Sequence, residues 1–185
     1  MAFIAVYDVN VLYPNTLRDL LIRIAQLPHL VQAKWTEEIL DEVIGALRKN
    51  LPDISVEQTG RLRQRMNAAV RDCLVSGYEP LVAALELPDP GDRHVLAAAI
   101  KTKAQIIVTR NLKDFPAEQL APWELKAKSP DSFVRDQIDI DPQAVWACVQ
   151  QIVDSRTRNP VTIEDVLNQL ERDGLVGSAT ILRMS

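Results

Sequence analysis

Two short runs, Phe3–Tyr7 and residues 104–109, are apolar at nearly every position and rich in β-branched or aromatic side chains. Such runs do not alternate apolar with polar, so they suit strands covered on both faces rather than on one. A strand covered on both faces needs helices above and below its sheet. The chain between the runs supplies segments of helical periodicity, so strand and helix alternate. That order predicts an α/β fold: three α/β/α layers around a mostly parallel central sheet.

Leu17, Leu20, Leu21 and Ile24 recur at helical spacing, with Pro28 marking the exit. Thr36 is an N-cap residue, Glu37 and Glu38 suit the positive end of a helix dipole, and Ile39, Leu40, Val43, Ile44 and Leu47 supply an apolar face to about Asn50. Residues 56–74 read as helical, and residues 77–87 are ambiguous, with a short strand as one reading. Asp89-Pro90-Gly91-Asp92 is a helix start: a capping aspartate, proline at the first helical position and an acid three residues after the cap. Val95, Leu96, Ala99 and Ile100 carry that helix inward to the second apolar run.

Beyond Pro130 the pattern changes to short helices around residues 132–137, 144–153 and 163–170, punctuated by Pro142 and Pro160. These predict a principal domain over residues 1–130 and a C-terminal helical extension over residues 131–185. Val145, Cys148, Val149, Ile152 and Val153 give the extension an apolar face that should pack on the domain or form a partner surface. A chain of 185 residues, 47% apolar, is long enough for one sizeable core. Cys73 and Cys148 lie far apart without metal-type spacing, as in a reduced cytoplasmic protein. Met1 and Ala2 lead straight into the first strand, with no signal-peptide pattern, and no apolar run approaches the roughly 20 residues of a membrane span. The net charge of −4 argues against broad phosphate binding but permits a local cationic rim around an acidic pocket.

In parallel sheets, ligands collect where the strands end. Two strand exits are polar here: Asp8-Val9-Asn10 and residues 109–114, Thr-Arg-Asn-Leu-Lys-Asp. Carboxylates gathered there would repel one another without a cation, and hard oxygen donors with no Cys/His cluster favour Mg²⁺ or Mn²⁺. Position alone leaves Asp8 open between ligand and turn cap, and periodicity does not choose among Glu38, Asp41 and Glu42 on their helix. Asp89 reads as a cap. Asp92 reads equally as a helix-start acid, and Asn111 and Asp114 as loop formers. His94, with no partner identifiable in sequence, reads as a helix-surface or packing residue, and Trp35, Trp123 and Trp146 read as core.

Four stretches occur in a particular order. Asp8-Val9-Asn10-Val11-Leu12-Tyr13-Pro14 continues through Leu17-Arg18-Asp19-Leu20-Leu21. Trp35-Thr36-Glu37-Glu38-Ile39-Leu40-Asp41-Glu42-Val43 follows. Asp89-Pro90-Gly91-Asp92-Arg93-His94-Val95-Leu96-Ala97-Ala98-Ala99 comes next, then Ile107-Val108-Thr109-Arg110-Asn111-Leu112-Lys113-Asp114-Phe115-Pro116. Together they resemble the PIN-domain family, in its VapC-like toxin branch, over residues 3 to about 130.

The resemblance implies a metal-dependent endoribonuclease, a hydrolase of RNA phosphodiesters. Asp8, Glu42 and Asp92 would hold Mg²⁺ or Mn²⁺, and Asn111 would occupy the fourth catalytic position. That position is often aspartate in the family; asparagine keeps a carbonyl oxygen but no charge, and Asp114 is a substitute ligand. Val9 also replaces the small hydroxyl residue common between the first acid and Asn10. Arg18, Arg93, Arg110 and Lys113 are candidates for the RNA backbone. The branch implies a cognate antitoxin in a type II toxin-antitoxin pair, and dimerisation is common in the family. The rival reading, motivated by Asn111 and the helical tail, is a degenerate PIN module that binds RNA or protein without cutting.

Overall fold

The structure, a computed structural model, describes residues 3–185; the reading of Met1 and Ala2 lies outside the described residues. In chain order the elements are β1 (Phe3–Tyr7), α1 (Val9–Leu12), α2 (Asn15–Ala25), β2 (Val31–Lys34), α3 (Glu37–Asn50), α4 (Val56–Ala69), α5 (Glu79–Val82) and α6 (Arg93–Lys101). They continue with β3 (Ile106–Val108), α7 (Ala117–Leu120), β4 (Lys126–Lys128), α8 (Pro130–Ile140), α9 (Pro142–Ser155), α10 (Ile163–Arg172) and α11 (Val176–Arg183). The strands form one parallel sheet in the order β2-β1-β3-β4, with Ala5 opposite both Ala33 and Ile106, and Ile107 opposite Ala127. The α/β/α expectation holds, with every strand pair parallel.

The two apolar runs became the inner strands because only there is a strand covered on both faces. Ala5, Val6, Tyr7, Ile107 and Val108 are fully buried. The outer strands carried no comparable signal. β2 buries Val31 and Ala33 but exposes Gln32, and β4 is a Lys-Ala-Lys segment whose charges blunt the sheet edge. The segment expected to be helical to residue 74 leaves the helix after Ala69. Its last residues run beside Trp35, which donates to the Cys73 carbonyl at 2.9 Å and accepts from Val75 N at 2.9 Å. Residues 77–87 contain the helical turn α5 and no strand, correcting the short-strand reading; Pro80 sits in its first turn, where a missing N–H costs nothing.

The helices after Pro130 do not stand apart. Phe133, Val134, Val145, Cys148, Val149 and Ile152 belong to the same continuous core as the sheet, and the Phe133 ring meets Tyr7 edge-on, centroids 5.8 Å apart. Asp131 fastens α8 to the start of α11 by accepting from Ser178 N and Ser178 Oγ, both at 2.8 Å. Gly177 allows this approach, since a Cβ there would stand 2.8 Å from Asp131 Oδ2. Of the three tryptophans expected in the core, Trp35 is fully buried and Trp146 half-buried. Trp123, 45% exposed on the 3-10 turn Ala121–Trp123, corrects the third. Among the described residues, no helix is long and apolar enough to cross a membrane.

Candidate active site

From β1 the chain moves to β2 on one side and later returns to β3 on the other. The loops leaving β1 and β3 therefore diverge, opening a crevice at their carboxyl ends. Asp8 closes β1 and Thr109 closes β3. Asp8 is the N-cap of α1, its Oδ1 accepting from Val9 N at 2.7 Å. Its Oδ2 accepts from Thr109 Oγ1 at 2.7 Å and from Asn10 Nδ2 at 3.0 Å. Asn10 in turn accepts from Arg110 N at 2.9 Å, so one amide side chain ties both strand exits together. Asp8 thus serves as turn cap and as a fixed carboxylate at the crevice.

The acids of α3, indistinguishable by periodicity, separate by partner. Glu37 and Asp41 pair with Arg63 of α4. Glu38 and Glu42 turn instead to His94 of α6: His94 Nε2 lies 2.9 Å from Glu42 Oε1 and Nδ1 lies 3.8 Å from Glu38 Oε2. These are ion-pair distances without the alignment of a hydrogen bond. The Tyr78 hydroxyl donates to Glu38 Oε2 at 2.9 Å. His94 itself is 5% exposed, so of its two readings the helix surface is corrected and the packing role stands, now with carboxylates facing the ring. The sequence missed these partners because they lie on a helix about fifty residues upstream.

Asp89 caps the 3-10 turn Pro90–Asp92 by accepting from Gly91 N at 2.8 Å, leaving the Asp92 carboxylate unspent on capping. Asn111 is exposed and its side chain caps nothing, although its N–H donates to Thr109 Oγ1 at 3.1 Å. Asp114 is half-buried in the 3-10 turn that follows.

The charges register one another. Burial pushes the Asp92 carboxyl up to about 6, helped by the negative charges of Asp8, Asp89 and Asp114. Asp8 is also raised, by burial first and by Glu42; the hydrogen bonds from Thr109 and Val9 pull the other way. Burial pulls His94 down, but Glu42, Glu38 and Asp8 together outweigh it and leave the imidazole raised. This is a site short of positive charge.

A consequence for stability follows from Asp92. Between the ordinary carboxylate range and about pH 6, the folded protein keeps a proton that the unfolded chain has released. Asp92 therefore favours folding below that window, and its contribution is lost as pH rises through about 6. In metal-free buffer at pH 7, Asp92→Asn should melt a few degrees above the wild type, and the gap should close near pH 4. A variant that melts below the wild type at pH 7 would show that Asp92 is not held against its neighbours' charge. Thermal melts at the two pH values decide it.

The family model described as "PIN domain" matches residues 6–113, more than half of the chain and all of both strand exits as far as Lys113. This chain belongs to the PIN-domain family. A second family model, described as "VapC50 C-terminal domain", matches residues 130–184, the stretch of α8 to α11. A protein of Mycobacterium tuberculosis (strain ATCC 25618 / H37Rv) described as "Putative ribonuclease VapC50" is 43% identical over 94 residues. That match covers 51% of this chain and 55% of the relative, so it spans little more than half the length of either. No solved structure matches the chain at a significant level.

Around the PIN crevice the four candidate cations sit differently. Arg18 is buried, donating to the Leu12 and Tyr13 carbonyls, both at 3.0 Å, and to Asn15 Oδ1 at 2.9 Å. It satisfies the carbonyl end of α1 and is not presented to a polyanion, which corrects its reading as an RNA contact. Arg93 is half-buried at the start of α6, with an unpartnered Nε. Arg110 is exposed; its guanidinium reaches the Asp173 carbonyl after α10, linking the β3 exit to the C-terminal helices. Lys113 is exposed.

Proposed function

We propose that this PIN protein is a Mg²⁺- or Mn²⁺-dependent endoribonuclease and the toxin of a type II toxin-antitoxin pair, acting in the cytoplasm. The observation that carries the reading is the crowding of Asp92 by Asp8, Asp89 and Asp114 beside Glu42 at one strand-exit crevice. Such a carboxylate set is destabilised by itself and relieved by a hard divalent ion, so the donors fit the group. The similarity to the mycobacterial protein described as "Putative ribonuclease VapC50" supports the same reading.

In this reading Asp8, Glu42 and Asp92 hold the ion, with the Asn111 carbonyl and the Asp114 carboxylate as further oxygen donors. When bound, the ion supplies Lewis-acid stabilisation of the charge that develops on the phosphodiester as water attacks. The chain's own contributions are positional. Thr109 and Asn10 fix the Asp8 carboxylate, and Asp92 must be deprotonated to serve. In this reading Arg93, Arg110 and Lys113 orient the RNA backbone, Arg110 once its guanidinium leaves the Asp173 carbonyl. Residues 1–130 form the nuclease domain in this reading, and residues 131–185 an extension that buttresses it. A cognate antitoxin restrains the enzyme by filling the crevice, and the toxin assembles as a homodimer.

The purified protein should cleave RNA when Mn²⁺ or Mg²⁺ is supplied, and EDTA should reduce cleavage to background. Absence of metal-stimulated cleavage across a panel of RNAs would overturn the reading. It would favour the second one, a PIN module that binds without cutting, whose supporting observation is the uncharged, exposed Asn111 at the fourth position.

A further inference from the structure

Glu38 and Glu42, one turn apart on α3, and His94 on α6 each bring one ligand atom to within 4.8 Å of the others. Exposed acids cluster on many helices without consequence; His94 makes this cluster different. Its side chain is buried to 6% exposure, and neither ring nitrogen has a hydrogen-bond partner. The Glu42 carboxylate attracts the ring without an aligned hydrogen bond, so the buried imidazole is left with donor capacity poorly used. Both nitrogens face carboxylates, at 2.9 Å for Glu42 and 3.8 Å for Glu38, yet neither contact is aligned as a hydrogen bond.

The distances suit an ion between the groups. With metal–nitrogen and metal–oxygen bonds of roughly 2.0–2.1 Å in tetrahedral geometry, neighbouring ligand atoms stand about 3.3 Å apart. The Nε2–Glu42 separation of 2.9 Å is a few tenths of an ångström under that value, and all three ligand atoms lie within 4.8 Å of one another, so a small adjustment of the exposed glutamates would close the shell on Nε2. The glutamate side chains are 51% and 47% exposed, so the cluster opens to solvent and an ion has a way in. Tyr78, through its hydroxyl on Glu38 Oε2, supplies the orienting bond expected of a carboxylate ligand's outer partner.

We propose that Glu38, Glu42 and His94 form a second cation site, selective for a borderline transition ion, Zn²⁺, over Mg²⁺. An imidazole nitrogen beside carboxylates favours Zn²⁺, whereas Mg²⁺ prefers oxygen alone and keeps its waters. Three protein ligands leave the fourth position open, as at catalytic rather than structural zinc centres. Of the residues assigned to the nuclease centre, the site uses Glu42 alone, so the two readings fail separately.

The test is calorimetric titration of Zn²⁺ alone into the full chain, with the wild type, Glu38→Gln, His94→Gln and Asp92→Asn compared. The wild type should bind one Zn²⁺. Glu38→Gln and His94→Gln should each weaken binding about 100-fold, because even outer-shell partners of a metal site are worth roughly 10–100-fold. Asp92→Asn, which should disable Mg²⁺ or Mn²⁺ binding at the nuclease centre, should leave Zn²⁺ affinity unchanged. Co²⁺ in place of Zn²⁺ should give visible absorption without thiolate charge transfer, lost in Glu38→Gln. If His94→Gln fails to fold, exposed Glu38 decides the question alone. Wild-type affinity in Glu38→Gln, no Zn²⁺ binding by the wild type, thiolate charge transfer, or loss of Zn²⁺ binding in Asp92→Asn would each overturn the proposal.

Discussion

Asp8→Asn should lower metal-dependent RNA cleavage by about 10³-fold or more, on the order of 4 kcal/mol of transition-state stabilisation, while the protein remains folded. The expectation rests on how Asp8 is held. Its carboxylate accepts from Val9 N, Asn10 Nδ2 and Thr109 Oγ1, and it is only 3% exposed. An asparagine can still cap α1 through its carbonyl oxygen, but its amide would face two groups that now donate to Oδ2, the Thr109 hydroxyl and Asn10 Nδ2, so the cost in stability should be about 1–3 kcal/mol. What is lost is the charge. An ion shared with Glu42 and Asp92 would then be held by a weaker field at a ligand position fixed by three hydrogen bonds. Cleavage assays across a Mn²⁺ series, beside circular dichroism melts, separate the two effects. Retained cleavage, or a variant that loses activity only because it unfolds, would remove Asp8 from the chemistry.

How far the sequence revealed this site depends on the distance over which each residue acts. The positions of Asp8 and Asp92 were legible because each follows a strong local signal, a fully apolar strand in one case and a proline-bearing helix start in the other, although their reading as ligands came from the family resemblance. Glu42 was reached only through the family resemblance. What distinguishes it from Asp41 is a partner on another element, Arg63 for one and His94 for the other. Arg18 failed for the same reason in reverse. A lone arginine near a strand exit resembles a phosphate ligand until the fold shows its guanidinium spent on the carbonyls that end α1. The fold divides likewise. Inner strands betray themselves because both faces are apolar, whereas β2 and β4 draw their definition from the neighbour they pair with, leaving little mark on composition.

Phe133→Ala should destabilise the whole protein by about 3–5 kcal/mol, the usual cost of emptying a fully buried aromatic site. At roughly 2–4 °C per kcal/mol for a chain of this size, melting should fall by about 6–20 °C. The informative part is the shape of the transition. Phe133 lies on α8, beyond the region matched by the PIN model, yet its ring packs edge-on against Tyr7 of β1, the residue that immediately precedes Asp8. α9 and α10 both pack against α2, and Arg156 reaches back to Thr16 at 2.9 Å. If the C-terminal helices are one cooperative unit with the sheet, near- and far-ultraviolet signals should shift together in a single transition. RNA cleavage should weaken at temperatures below the midpoint as β1 loses its support. Two separate transitions, with only the first displaced, would mean that α8 to α11 fold independently. The site would then owe its rigidity to the sheet alone, and removal of those helices should leave cleavage intact.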